Sequence, residues 1–243
     1  ICIRHIDWSQ TSQVVTLLTE QHGKLAGLAR GSKRTSPSSS ARFSGGIELL
    51  TLGQAVGVIK ATTDLASITE WDLQRAYPHL RRDLRAHQLG LYAADLVGAM
   101  LADRDPHPIT FAAMAAFLDQ ITDVAMQSLG LLCLQWRVLD DCGFRPELER
   151  DVVSGQTLLC RATYRFDAQA GGLTMQSLSQ DDLRGSWRVR HETVQVLRNL
   201  SGGDLAETEA IVINRANRLL CVYTRAILDR ELPTMRFVLD ARR

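Results

Sequence analysis

The chain has 243 residues, 45% of them hydrophobic and 23% charged, which excludes wholesale disorder and allows one large domain or two small ones. Its net charge of +1 conceals an asymmetry: residues 1–69 hold seven Lys/Arg against four Asp/Glu, a net of +3, while the remainder carries −2. The basic character sits at the N-terminal end, where a polyanion is the partner to test for.

In chain order, Ile1 to Ile6 alternates loosely and predicts a first strand, and the pattern already running at Ile1 predicts that a few residues precede it. Val14 to Thr19 and Lys24 to Arg30 are short apolar runs around a Gly-containing connection, the pattern of a β-hairpin. Gly31 to Ser44 is a loop rich in Ser, Gly and Arg. No acidic residue stands between Glu20 and Glu48, whereas Lys24, Arg30, Lys33, Arg34 and Arg42 are all basic. Cations on a hydroxyl-rich loop suit phosphates, because Lys and Arg follow the charges while Ser and Gly let the backbone approach; a solvated charged loop would look the same. Phe43, inside the loop, is a candidate to stack on bases, and Trp8 is either a second stacking ring or part of the core. Five phosphate contacts would make log K fall with log salt at a slope of about −3.5 on single strands.

Ile47–Leu52 and Ala55–Lys60 read as a second antiparallel pair turned at Gly53-Gln54, with Leu65 to Ile68 as a short closing strand. Such a set of short strands fits a small closed barrel of OB or SH3-like type. From Glu70 the period becomes helical. Leu80, Leu84, His87, Leu91, Ala94, Gly98 and Leu101 form one stripe, Phe111, Met114, Leu118, Ile121 and Ala125 a second, and Leu131 to Asp140 a third closing at Gly143. Thr157–Phe166 and Gly172–Met175 predict a β-hairpin. Ser179 with Asp182 predicts a helix start, followed by helices to about Leu200 and from about Leu205 to Asp229.

Signatures of catalysis are missing: there is no H-E-x-x-H, P-loop, G-x-G-x-x-G or G-x-S-x-G. Asp140-Asp141 and Asp181-Asp182 are neighbours whose side chains diverge by about 100° on a helix, so they read as solvated helix ends. The cysteines (Cys2, Cys133, Cys142, Cys160, Cys221) form no C-x-x-C pair, and their mostly apolar settings predict buried free thiols in a reducing cytoplasm. No apolar run approaches about 18 residues, and no basic segment leads into an apolar one, so neither a membrane span nor a signal peptide is predicted.

Three separated segments carry a family resemblance. Leu18-Thr19-Glu20-Gln21-His22-Gly23-Lys24-Leu25 with Ala29-Arg30-Gly31-Ser32-Lys33-Arg34 resembles the N-terminal signature of the bacterial recombination mediators of the RecO family. Trp8-Ser9-Gln10-Thr11-Ser12 is similar to that family's W-S-E-T-S segment, with Gln10 where an acid is usual. Leu139 to Glu149 and Leu232 to Val238 resemble its central and C-terminal motifs. The resemblance implies an α+β chain: an N-terminal OB-fold barrel (1–69) that binds DNA, then a helical domain (70–243) with an inserted hairpin region (151–178). It implies a cytoplasmic, nucleoid-associated, non-enzymatic mediator that binds single- and double-stranded DNA and anneals strands. The implied partners are RecR, the acidic C-terminal tail of single-strand-binding protein and, indirectly, RecA. Many relatives carry a four-cysteine zinc knuckle after the central motif. Here the first cysteine pair is replaced by Asp151-Val152-Val153-Ser154 and the second is also missing, so the chain resembles the zinc-free members and no metal or other cofactor is expected. A general OB-fold strand binder, or an adaptor whose DNA binding has weakened, would share much of this pattern.

Overall fold

The two short apolar runs are realised as two strands, β2 (Gln13–Thr19) and β3 (Gly23–Ala29), paired antiparallel from Gln13–Ala29 to Thr19–Gly23. β1 (Cys2–Asp7) pairs antiparallel with β2. The computed structural model describes residues 1–34, 36–43, 45–59, 63–176, 185–200, 202, 205 and 208–240. They form two compact units, Ile1–Thr122 and Asp123–Arg243.

In the first unit, β4 (Leu52–Val58) pairs antiparallel with β5 (Leu65–Arg75), and β5 runs parallel to β3, so the sheet order is β1-β2-β3-β5-β4. This is an OB-like sheet, and it is open. Among the described residues β1 and β4 do not pair along their length. The chain just before β4 instead meets the start of β1, through Cys2 N–H to the Thr51 carbonyl (2.9 Å) and Leu50 N–H to the Cys2 carbonyl (2.8 Å). Among the described residues, the closed barrel expected from the sequence is therefore reduced to these two backbone bonds. The predicted strand Ile47–Leu52 does not form before Leu52, where β4 begins. Leu50 adopts φ +58°, a left-handed conformation incompatible with a ladder, and Ile47 and Leu50 are buried as plugs. Lys60, at the end of the predicted second strand, lies outside the described residues. β5 continues seven residues beyond Ile68 because its buried positions, Ala66, Ile68 and Trp71, keep to the sheet's inner face. The core brings together Cys2, Val15, Leu17, Phe43, Ile47, Ile68 and Trp71.

Gly23 ends the hairpin connection at φ +64°, and a Cβ there would lie 2.1 Å from the Asp105 carbonyl oxygen. Only glycine satisfies both conditions. Within the predicted loop, Pro37–Phe43 forms a short helix, α1, with proline at its start. α2 (Leu84–Met100) is capped by the Asp83 carboxylate, which accepts from the Arg85 and Ala86 N–H groups. Its buried face is Ala86, Leu89, Ala93, Leu96 and Val97, rotated from the expected stripe; Leu84 is 72% exposed. The face chosen is the one whose small residues permit close packing, as at Gly90, where a Cβ would come within 2.8 Å of Leu50. α3 (Pro108–Gln120) buries Met114, Phe117 and Leu118.

In the second unit, α4 (Val124–Asp141) packs on α6 (Ala210–Leu228), with a buried hydrogen bond of 2.7 Å from Gln135 Nε2 to Asn217 Oδ1. α4 stops where Gly143 takes φ +77°: its N–H reaches the Asp140 carbonyl and that of Phe144 reaches Leu139, satisfying the last carbonyls of the helix. β6 (Thr163–Asp167), β7 (Gly172–Thr174) and β8 (Ser186–Arg190) form an antiparallel sheet in the order β7-β6-β8. The β6–β7 hairpin follows the sequence expectation; β8 does not, since Ser186–Arg190 lies where a helix was expected. Its period-two pattern buries Val189 and turns Arg188 and Arg190 to solvent. The predicted helix start at Ser179 lies outside the described residues. α5 (His191–Asn199) follows β8 directly, and α7 (Arg236–Leu239) follows α6. Cys2 and Cys221 are buried thiols, whereas Cys133 and Cys160 are exposed, contrary to the apolar setting of Cys133. Among the described residues no helix is long and apolar enough to cross a membrane.

Candidate nucleic-acid interface

The turn joining β1 to β2 and the turn leaving β3 meet at one end of the sheet. Ser9 Oγ accepts from the Thr11 and Ser12 N–H groups, and Trp8 N–H donates to the Ser12 carbonyl (2.9 Å), so the Trp8–Ser12 turn is closed on itself. Ser12 Oγ then accepts from Gly31 N–H (3.2 Å), and Lys33 N–H donates to the Thr11 carbonyl (3.1 Å), tying the two turns together. Beneath them the buried Gln13 amide accepts from Ser32 Oγ and from Ile47 N–H through Oε1, and donates to the Ile47 carbonyl. Ser32 is thereby drawn inward. Its neighbours Arg30, Lys33 and Arg34 turn outward on a backbone held by hydrogen bonds.

The result is a cleft of about 380 Å³ with Leu28 and Gly31 in its lining, flanked by Ser9 and Ser12 and bordered by Trp8, Arg30, Arg34 and Arg42. Trp8 is 70% exposed, which decides between its two expected roles: the ring is not core and presents a face to solvent. Among the described residues none of the three arginines has an acidic partner within 4 Å; Arg42 donates only to the Ser38 carbonyl.

The remaining expected site residues are placed differently. Lys24 has a side chain only 15% exposed, and its Nζ donates to the Gly98 carbonyl (2.7 Å) beside Asp103 (3.2 Å), so it ties the hairpin to its own unit. Lys33 Nζ donates to Asp7 Oδ2 at 2.6 Å. That hydrogen bond, ahead of its smaller coulombic contribution, lowers the Asp7 carboxyl below its ordinary range. Phe43 is 1% exposed in the core of the first unit. The helix α1 carries it inward, and a buried ring has no face to offer a base. Trp8, not Phe43, is the aromatic at this surface; a tryptophan in a Ser/Thr-rich turn, away from any apolar period, was the available signal.

The segment in place of a knuckle is organised by a carboxylate. Asp151 Oδ1 accepts from the Val153 and Ser154 N–H groups (both 2.9 Å), and Oδ2 accepts from Met175 N–H (2.5 Å) and Thr174 Oγ1 (3.3 Å). Burial, the largest single influence, pushes this carboxyl up. The hydrogen bonds from Met175, Ser154, Val153 and Thr174 together outweigh it and hold the pKa at about 2. With both oxygens engaged, and Ser154 where a thiolate would stand, these residues do not fit a tetrahedral zinc site. Among the described residues no three His, Cys, Asp or Glu side chains are grouped to hold a metal.

A groove in the same unit runs along the free edge of β8. It has a volume of about 380 Å³, with Trp187, Leu219, Val222 and Leu239 in its apolar lining and Arg188, Arg190, Arg215 and Arg218 beside them. Sequence reasoning missed it, because its lining combines an unpredicted strand with three helices.

Comparison with known proteins agrees with this architecture. The family model for the N terminal of recombination protein O matches residues 1–77, and that for its C terminal matches residues 81–237. The chain is 26% identical to the DNA repair protein RecO of Anaeromyxobacter sp. strain Fw109-5 over 242 residues, covering 98% of this chain and 93% of the relative. It is 29% identical to that of Anaeromyxobacter dehalogenans strain 2CP-C over the same shares, and 30% identical to that of Geobacter metallireducens over 69% of this chain and 66% of the relative. With both halves of the family matched in order and an OB-like sheet followed by a helical region, the chain belongs to the RecO family of DNA repair and recombination proteins.

Proposed function

We propose that this protein is a non-enzymatic recombination mediator of the bacterial cytoplasm, associated with the nucleoid. It binds single- and double-stranded DNA through residues 1–69 and makes its protein contacts through residues 70–243. The observation that carries the reading is the cleft where Trp8 stands exposed among Arg30, Arg34 and Arg42, none of them neutralised by an acid among the described residues. Guanidinium groups take phosphates and an exposed indole stacks on any base, so the cleft holds a strand without reading its sequence. The strand lies loosely enough to be presented to its complement, which is what annealing requires. Lys33 and Lys24 contribute little, because each is already occupied.

The groove along β8 suits the tail of single-strand-binding protein: its apolar lining accepts hydrophobic residues, and Arg215 and Arg218 face the tail's acids. With RecR as partner, such a protein helps RecA onto strands covered by single-strand-binding protein. A general OB-fold binder would share the cleft but ignore the tail, and an adaptor with weakened DNA binding would keep only the groove. A pull-down with the tail peptide beside a DNA shift assay separates the three. We expect both to be positive, and Arg215→Glu to weaken the peptide about tenfold, or roughly 1.4 kcal/mol, without changing the DNA shift. A peptide that binds neither protein, or binds both equally, contradicts this assignment.

A further inference from the structure

The outer face of the small sheet has a charge arrangement that folding does not explain. Thr163 and Arg165 of β6 share this face with Arg188 and Arg190 of β8, and Arg165 stands directly opposite Arg188 in the register, with Thr163 opposite Arg190. Tyr164, Phe166 and Val189 occupy the inner face and are buried. Like charges directly opposite each other destabilise an antiparallel pair. Here they have no relief: among the described residues no acid lies within 4 Å of Arg161, Arg165, Arg188 or Arg190. The one acid on these strands' outer positions, Asp167, accepts from the Gln169 and Ala170 N–H groups of its own turn. Arg165 Nε is buried without a hydrogen-bond partner among the described residues. A shallow depression of about 390 Å³ over this face includes Arg161, Arg165, Arg188, Thr163 and Thr174.

We infer that this face is a second, separate binding surface for the phosphate backbone of a DNA strand. An anion bridging Arg165 and Arg188 turns their repulsion into attraction and supplies the missing acceptors. Arg188 and Arg190, two residues apart on one strand, are spaced by about 6.6–6.8 Å, comparable with successive phosphates of an extended strand. The cations are spread across the sheet with the Thr163 hydroxyl among them, which suits a repeating backbone better than an acidic peptide with an apolar anchor, although Arg188 and Arg190 also border the groove along β8. The inference rests on the mediator reading above and extends it. Two strand-binding surfaces on one chain allow two strands to be held at once.

The test uses the full chain and a thymidine homopolymer, with salt titrations of wild type, Arg188→Ala/Arg190→Ala, Arg188→Lys/Arg190→Lys, the cleft variant Arg30→Ala/Arg34→Ala/Arg42→Ala, and the cleft and sheet alanine variants combined. The sheet alanine variant is expected to flatten the slope of log K against log salt by about 1.4 and to slow annealing of complementary strands at least severalfold. The lysine variant keeps the wild-type slope. The cleft variant retains residual binding that the combined variant loses. A wild-type slope and annealing rate in the sheet alanine variant overturns the inference, as does a loss confined to binding of an acidic peptide. If the cleft variant alone binds like wild type while the sheet variant fails, the sheet surface stands and the assignment of the cleft falls.

Discussion

Replacing Arg30, Arg34 and Arg42 together by Ala is expected to reduce single-strand affinity on the order of 50-fold at 0.15 M salt. Three phosphate contacts account for about 2.1 in the slope of log K against log salt, and this contribution vanishes on extrapolation to about 1 M. The loss is the same for every sequence, because phosphates carry no sequence information. Trp8→Ala removes a further stacking contribution of about 1–3 kcal/mol. Its side chain is exposed, so the melting temperature hardly changes. Lys24→Ala behaves in the opposite manner. It leaves the salt slope in place and lowers stability, because its ammonium serves the Gly98 carbonyl and Asp103. Equilibrium binding by fluorescence anisotropy across a salt series, beside thermal melts, separates the two behaviours.

Asp151→Ala is expected to destabilise the second unit strongly. It strips acceptors from the Val153, Ser154 and Met175 N–H groups and from the Thr174 hydroxyl. Unsatisfied buried donors cost about 1–3 kcal/mol each, and water reaching the turn from its open side limits the total to roughly 3 kcal/mol. The melting temperature then falls by about 10 °C. The carboxyl also links stability to acid. Its folded pKa, about 2, lies below the ordinary value of 3.8, so the unfolded chain binds the proton first. The stabilisation is therefore complete above the ordinary value and is lost as pH falls through about 2. Acid titration of stability should show this component in wild type and lack it in Asp151→Asn. Strong chelators should leave the wild-type melting curve unchanged, and elemental analysis should find no stoichiometric zinc; one tightly held zinc per chain contradicts the carboxylate-centred account.

The β2–β3 hairpin was legible because its buried positions alternate and Gly23 marks the turn. β4 and β5 were misread for two reasons. Ile47 and Leu50 are apolar because they plug the core from irregular chain, and the polar residues Glu70, Asp72 and Gln74 resemble a helix start although they line an exposed strand face. β8 was hidden in the same way, since an alternating Trp187-Arg188-Val189-Arg190 runs directly into a helix. In the cleft, the excess of cations was plain from the sequence. Which of them remain available was not: Asp7 and Asp103, which occupy Lys33 and Lys24, are partners set by topology. Phe43 was misplaced because its basic, Ser-rich surroundings conceal a helix that turns a single ring into the core.

The central claim is that a DNA strand lies across the cleft formed by the Trp8–Ser12 and Gly31–Arg34 turns. Ultraviolet crosslinking of a thymidine-rich strand to the full chain, followed by mass mapping of the linked peptides, tests it most directly. The account predicts links at Trp8 and within residues 30–34, weakened by Arg30→Ala/Arg34→Ala/Arg42→Ala while any links in the 161–190 region persist. Links that avoid both turns in the wild-type protein, with the strand bound, would contradict it.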